Sequence, residues 1–470
     1  MNSGTISIFH KELLSVRRDK TIMLLAIIIW LLLASAMVMC TISYVKDQQH
    51  IYNSEIMFRQ QWEKQQRNPH DAAHFGTYLF SPINLLGAFD SGLNDYFGTS
   101  YRVEAHKQNE VNYSNAESSD ATMRFGQFTV ALILQLLVPL LILFTACSSI
   151  TREKESGTLK MLLAQGVKPA QLLWGKVWAN YLLIISMVLP VFILLFFAIL
   201  LSSPAFLTAR FFINTGSYLL YYLLIILVAI NLSAISKSSR NALLAVLSLW
   251  LLASIIIPKL ATGIADSHYP SMSRATFKNS VERSYLKGLN RKDPYYERND
   301  RYLKQLLKQY QVDSISQLPV DASGIIMQRN EDYQNDVFDY YHHQIDHEFA
   351  QQQFFLGIAG LIDPFIALKR ISMATAGTDF YHHTDFFNQA RAYRNNFVRT
   401  LNLELANHPM KGNEVYKAGP AFFKSITDFH YRMPDINTIF NLQWIALLSL
   451  SGWVLLMSFI LQVIAKHPLL

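Results

Sequence analysis

The chain has 470 residues, a net charge of +7, 51% apolar residues and two cysteines. Its apolar residues gather into runs long enough to cross a bilayer, which takes roughly 20 residues per helix, and this excludes a soluble globular protein. Both cysteines, Cys40 and Cys147, lie inside such runs, which excludes a disulfide framework.

In chain order, a polar stretch of 20 residues precedes the first apolar run at 21–44. Ile22 to Leu33 followed by Ala34-Ser35-Ala36 has the outline of a signal peptide. The apolar character continues through Met39, however, and Glu12 and Asp19 interrupt the positive leader, so an uncleaved anchor is expected. Further runs at 128–150, 177–201, 217–235, 243–257 and 439–465 bring the count to six spans. Two long polar segments, 45–127 and 258–438, separate them.

The basic residues orient the spans. With the N-terminus inside, the inside segments are 1–20, 151–176, 236–240 and 466–470, which hold 12 Lys and Arg against 4 Asp and Glu. That excess of +8 accounts for the whole +7 of the chain. The charge is a topology signal, and no nucleic-acid partner is implied. The expected fold is an all-α integral membrane protein. It has six transmembrane helices, cytoplasmic N and C termini, and two large, mainly helical extracytoplasmic insertions.

Within the second insertion, Val281, Tyr285, Leu286 and Leu289, then Tyr302, Leu303, Leu306, Leu307 and Tyr310, recur by threes and fours. Asp293-Pro294 splits them into two helices. A further helix is expected over 325–355, with Leu318 to Gly324 as the loop that caps it. Residues 355–375 are apolar but interrupted by Gly357, Gly360 and Pro364, and read as an interfacial or re-entrant helix.

The spans carry almost no ionisable groups, so the carboxylates and histidines of an ion-coupled transporter are missing and energy must enter elsewhere. Gln135 and Asn231 are the notable polar residues and the candidate lining of any pathway. Between spans two and three, residues 151–176 read as two short helices. Leu159, Leu162 and Leu163 share a face, Gly166 stands at a C-cap position and Pro169 starts the next helix. Such a segment either transmits displacement to the spans it joins or lies on the lipid headgroups.

The run Glu153-Lys154-Glu155-Ser156-Gly157-Thr158-Leu159, then Leu162-Leu163, then Leu173-Trp174-Gly175-Lys176, resembles the E-x-E-x-G-T-L…L-L…G-K pattern of ABC-2 type transporter permeases. The stretch with Lys11, Glu12, Arg17 and Arg18 is similar to that family's amphipathic elbow helix before span one. Leu318-Pro319-Val320 and Gly377 to His383 look like the branch described as involved in multi-copper enzyme maturation.

The resemblance implies that Glu153, Glu155, Gly157, Thr158, Leu159, Leu162 and Leu163 couple the chain to a separate ATPase. Two ATPase copies would bind ATP and Mg, and a second permease copy or paralogue would complete the membrane part. Membrane lipids and a periplasmic or outer-membrane protein are the remaining partners. The implied activity is export across or out of the bacterial inner membrane. The alternative is a mechanotransmission complex that acts on an envelope partner and passes nothing through its spans.

No cofactor or catalytic residue is expected in this chain. A phosphate loop, G-x-x-x-x-G-K-[ST], would need glycine at Ala170 and Ser or Thr at Val177. His347-Glu348 fails the H-E-x-x-H pattern, because Gln351 stands in place of the second histidine. His343 and His347, four apart on one helix, are weak candidates for metal ligands.

Overall fold

The computed structural model describes residues 3–109, 111–112, 128–202, 205–409 and 415–467. Among the described residues, six helices are long and apolar enough to cross a membrane: Lys20–Glu63, Val130–Glu155, Pro169–Leu201, Phe206–Ile235, Ser239–His268 and Ile436–Ile464. Span four, Phe206–Ile235, is the hub and packs against spans two, three, five and six. Its buried Tyr222, Ile226 and Ile230 join Leu33, Ile142, Val188 and Leu450 in one apolar core. Two wide π turns, Ile133–Leu137 and Leu252–Ile256, each stand just before a proline, Pro139 and Pro258. A proline ring crowds the carbonyl four residues back, and widening the turn there keeps the helix continuous.

The helices outrun the hydropathy boundaries. Span one continues to Glu63 as a single 44-residue helix, about 66 Å at 1.5 Å per residue. It therefore extends well beyond the apolar stretch. Span five is a continuous 30-residue helix, twice the length of the apolar run that marks it. Residues 355–375 form no seventh span. The long helix Ala322–Ile362 stops at Asp363, and helix Pro364–Ala376 follows with 13 residues, about 20 Å and too short to cross. It packs against spans four and six and buries Phe365, Leu368 and Ile371 in their core.

The two insertions build one unit. Trp62 at the end of the span-one helix, Leu79, Tyr101 and Val103 from the first insertion, and Phe386, Phe397, Leu401 and Phe423 from the second share a single apolar cluster. Helices dominate as expected: Arg274–Lys287 and Tyr295–Tyr310 flank the Asp293-Pro294 break, and Asp321 caps Ala322–Ile362 by accepting from the Ser323 amide. Among the described residues, the first insertion also carries strands beside its helices. Strands β1 (Thr77–Phe80), β2 (Ser100–Val103) and β3 (Val111–Asn112) form an antiparallel sheet in that order.

Candidate coupling interface

The N-terminal helix Ser3–Arg18 lies along the start of the span-three helix. Its buried residues Thr5, Ile8, Glu12 and Val16 fall on one stripe, while Lys11, Arg17 and Arg18 stay exposed. The contact is close because Gly175 has no side chain: a Cβ there would meet Ile8 Cγ2 at 2.9 Å.

Residues 151–176 adopt the expected two-part form. Helix Thr151–Glu155 leads to Gly157, whose φ of 75° lies in the left-handed region open to glycine, and helix Thr158–Ala164 follows. At its end the amides of Gly166 and Val167 donate to the carbonyls of Leu163 and Leu162, a Schellman-type stop. Leu159 is buried, Leu162 and Leu163 are half-buried against the core, and Thr158, Lys160 and Met161 face outward.

Four charges tie this segment to the N-terminal helix. Lys176 Nζ lies 2.9 Å from Glu12 Oε2 and 3.2 Å from Glu153 Oε1, and Lys11 Nζ lies 2.9 Å from the same Glu153 oxygen. The Lys176 side chain is 2% exposed, and a buried ion of this kind needs close partners, which the two carboxylates provide. Lys176 stood in the sequence pattern as the last letter of G-K; its place at the centre of the cluster appears only when the two helices are packed.

The neighbouring charges grip the ends of spans four and five. Lys154 Nζ donates to the carbonyl oxygens of Ala234 at 2.6 Å and Ser236 at 3.3 Å, at the C-terminus of span four. A cation is favoured there by the free carbonyls of the helix end. Glu155 accepts from the Ser239 amide at 2.7 Å and the Ser239 hydroxyl at 2.8 Å, at the N-terminus of span five, where an anion is favoured. Hydrogen bonding by Ser239 also holds the Glu155 carboxyl below its usual range.

The remaining candidate residues sit elsewhere. Gln135 is buried and donates to Tyr218 Oη at 2.9 Å and to Asp90 Oδ2 at 3.4 Å; Ser372 binds the same Asp90 oxygen. Asn231 donates to the Met457 carbonyl at 3.0 Å on span six. Both donate hydrogen bonds that join elements: Gln135 ties span two to span four and to the first insertion, and Asn231 ties span four to span six. His343 and His347 are exposed, and His347 Nε2 faces Gln351 at 3.0 Å. Among the described residues, neither belongs to a group of three metal-capable side chains.

Residues 6–290, more than half of the chain, match the ABC-2 family transporter protein family. The chain belongs to that family. Residues 274–432 match a domain of unknown function, DUF3526, which covers most of the second insertion. No curated protein matches the chain. As an ABC-2 permease it is a multi-pass transmembrane subunit that is not itself catalytic, and family membership implies partnership with an ABC ATPase subunit. Neither match bears on the likeness to the permeases described as involved in multi-copper enzyme maturation.

Proposed function

We propose that this ABC-2 permease is an exporter subunit of the bacterial inner membrane, and that residues 151–176 with the N-terminal helix form its docking surface for the ATPase. The observation that carries this reading is the charge cluster Lys11–Glu153–Lys176–Glu12 together with the grips of Lys154 on span four and Glu155 on span five. A push on the outward residues Thr158, Lys160 and Met161 would reach the N-terminal helix and spans three, four and five at once. ATP binding supplies the push, because a ligand moves a conformational equilibrium only through its different affinity for the two states. Two permeases and two ATPases complete the assembly. Spans one and five, with 17% and 6% of their most apolar windows buried within the chain, supply the apolar faces that meet the second copy and lipid.

The excess of basic residues in the inside segments supports a cytoplasmic position for this surface and a periplasmic one for the two insertions. A photo-crosslinking amino acid at Met161, in cells that express the chain with its ATPase, is expected to trap the ATPase; one at Tyr296, in the second insertion, is not. Trapping from Tyr296 and not from Met161 would reverse the topology and sink the assignment.

Mechanotransmission is the second reading, and the use of Gln135 and Asn231 as internal fasteners favours it. In that case the 44-residue span-one helix carries the stroke to the two-insertion unit, which acts on an envelope partner. Transport of a cargo by the permease and ATPase alone in reconstituted vesicles would exclude it.

A further inference from the structure

Three imidazoles meet on the surface of the two-insertion unit. His70 and His74 stand four apart on helix Pro69–Phe75, which Asn68 caps by accepting from the His70 amide, and His106 follows strand β2. Helix and strand end are held in register by the Ala105 amide, which donates to the Ala73 carbonyl at 2.9 Å. His70 Nε2 lies 3.1 Å from His74 Nε2 and 3.4 Å from His106 Nε2, and one ligand nitrogen from each of the three lies within 4.8 Å of the others. Two nitrogens bound tetrahedrally to one ion at 2.0–2.1 Å stand about 3.3 Å apart.

The partners of the rings set which nitrogens face one another. A neutral imidazole has one N–H and one lone pair. His106 Nδ1 lies 2.7 Å from Glu331 Oε1, so Nδ1 carries the hydrogen and Nε2 presents its lone pair. For His70 the chain of bonds is longer. The Asp332 carboxylate accepts from Gln328 Nε2 at 2.8 Å, Gln328 Oε1 accepts from Asn402 Nδ2 at 3.1 Å, and Asn402 Oδ1 therefore faces His70 Nδ1 at 3.4 Å as an acceptor. His70 Nε2 is left with its lone pair toward His106. Two lone pairs at 3.4 Å repel unless an electrophile sits between them, and a third imidazole nitrogen converges on the same place.

We propose that His70, His74 and His106 bind a divalent transition-metal ion of the zinc type, with a fourth position open to water or a further ligand. The support behind the ring nitrogens is the kind metal-bound histidines use: the far nitrogen of the ring donates to a carboxylate or amide oxygen that fixes its tautomer. Glu331 is itself anchored by Arg394 at 2.8 Å. His74 is exposed and the His106 side chain is 40% exposed, so an ion has access from solvent. The ion ties the first insertion, through Glu331 and Asn402, to the two long helices of the second.

The test uses the full chain purified without a histidine tag and stripped by a chelator. Titration with Zn2+ is expected to give one ion per chain and a rise in melting temperature, and Co2+ is expected to give the intense visible absorption of a tetrahedral site. His74→Ala, at an exposed position that leaves the fold intact, abolishes all three responses. Glu331→Gln keeps the ligands and weakens binding roughly 10- to 100-fold. The double variant His343→Ala/His347→Ala binds as the parent does. No Zn2+ bound by the stripped parent, or unchanged binding by His74→Ala, would overturn the proposal and leave a proton as the electrophile between the rings.

Discussion

Lys176 and Glu12 come within 2.9 Å of each other in a nearly dry contact between the span-three helix and the N-terminal helix. The pair joins the two parts of the chain that move together if an ATPase pushes on residues 151–176. Its strength is asymmetric. Two compensated charges in a buried site contribute little net stability, but removing one partner strands the other.

Lys176→Met should therefore be costly, about 3–5 kcal/mol, since it strands the buried Glu12 and leaves Glu153 with only the exposed Lys11 as a cation. Thermal unfolding in detergent is expected to fall sharply. Adding Glu12→Leu should recover part of the loss, and a double variant no better than the single one would mean that the contact is not a coupled unit.

At Gly157 the backbone is left-handed and a Cβ would meet nothing within 4 Å. Gly157→Ala then costs only the backbone term, roughly 1–2 kcal/mol, and the chain still inserts and assembles. Its effect should appear in coupling: ATPase activity in the complex loses its dependence on the permease. Fully coupled turnover by the variant would remove Gly157 from the transmission path.

Gln135→Leu tests whether that residue fastens or lines. It leaves Asp90 and Tyr218 short of one donor in a buried site, about 1–3 kcal/mol, and the melting temperature should drop. A path-lining residue would give the opposite result, unchanged stability with impaired transport.

Asp363 gives a pH signature. Burial pushes its carboxyl from 3.8 up to about 7, against the opposing effect of the Phe365 amide that it accepts from. The folded state thus holds a proton that the unfolded state releases near pH 4. Stability is full below that point and is lost as pH rises through about 7. Asp363→Asn keeps the cap of helix Pro364–Ala376 and removes the titration. Melting curves from pH 5 to 8 should fall for the parent and flatten for the variant; parallel curves would refute the assignment.

Much of the architecture was legible in the sequence because hydropathy is a local property. Each span announces itself by its own residues, and so do the break at Asp293-Pro294 and the short helices at Gly157 and Gly166. The small sheet β1–β3 was not legible. Its strands are two to four residues long, too short for alternation to stand out from turns. The extension of span one to Glu63 was equally hidden, since hydropathy ends where the chain leaves the apolar layer and the helix does not.

The sequence by itself determined the membrane class, the six spans and the presence of a charged segment between spans two and three, because each depends on residues adjacent in the chain. Only the tertiary structure decided which charges meet. Glu12 and Lys176 are 164 residues apart, Asp90 and Ser372 are 282 apart, and His106 reaches Glu331 across 225. No local period records such distances. They follow from packing the N-terminal helix on span three and from folding two insertions into one unit, where a buried polar group must find its partner wherever the chain brings one within reach.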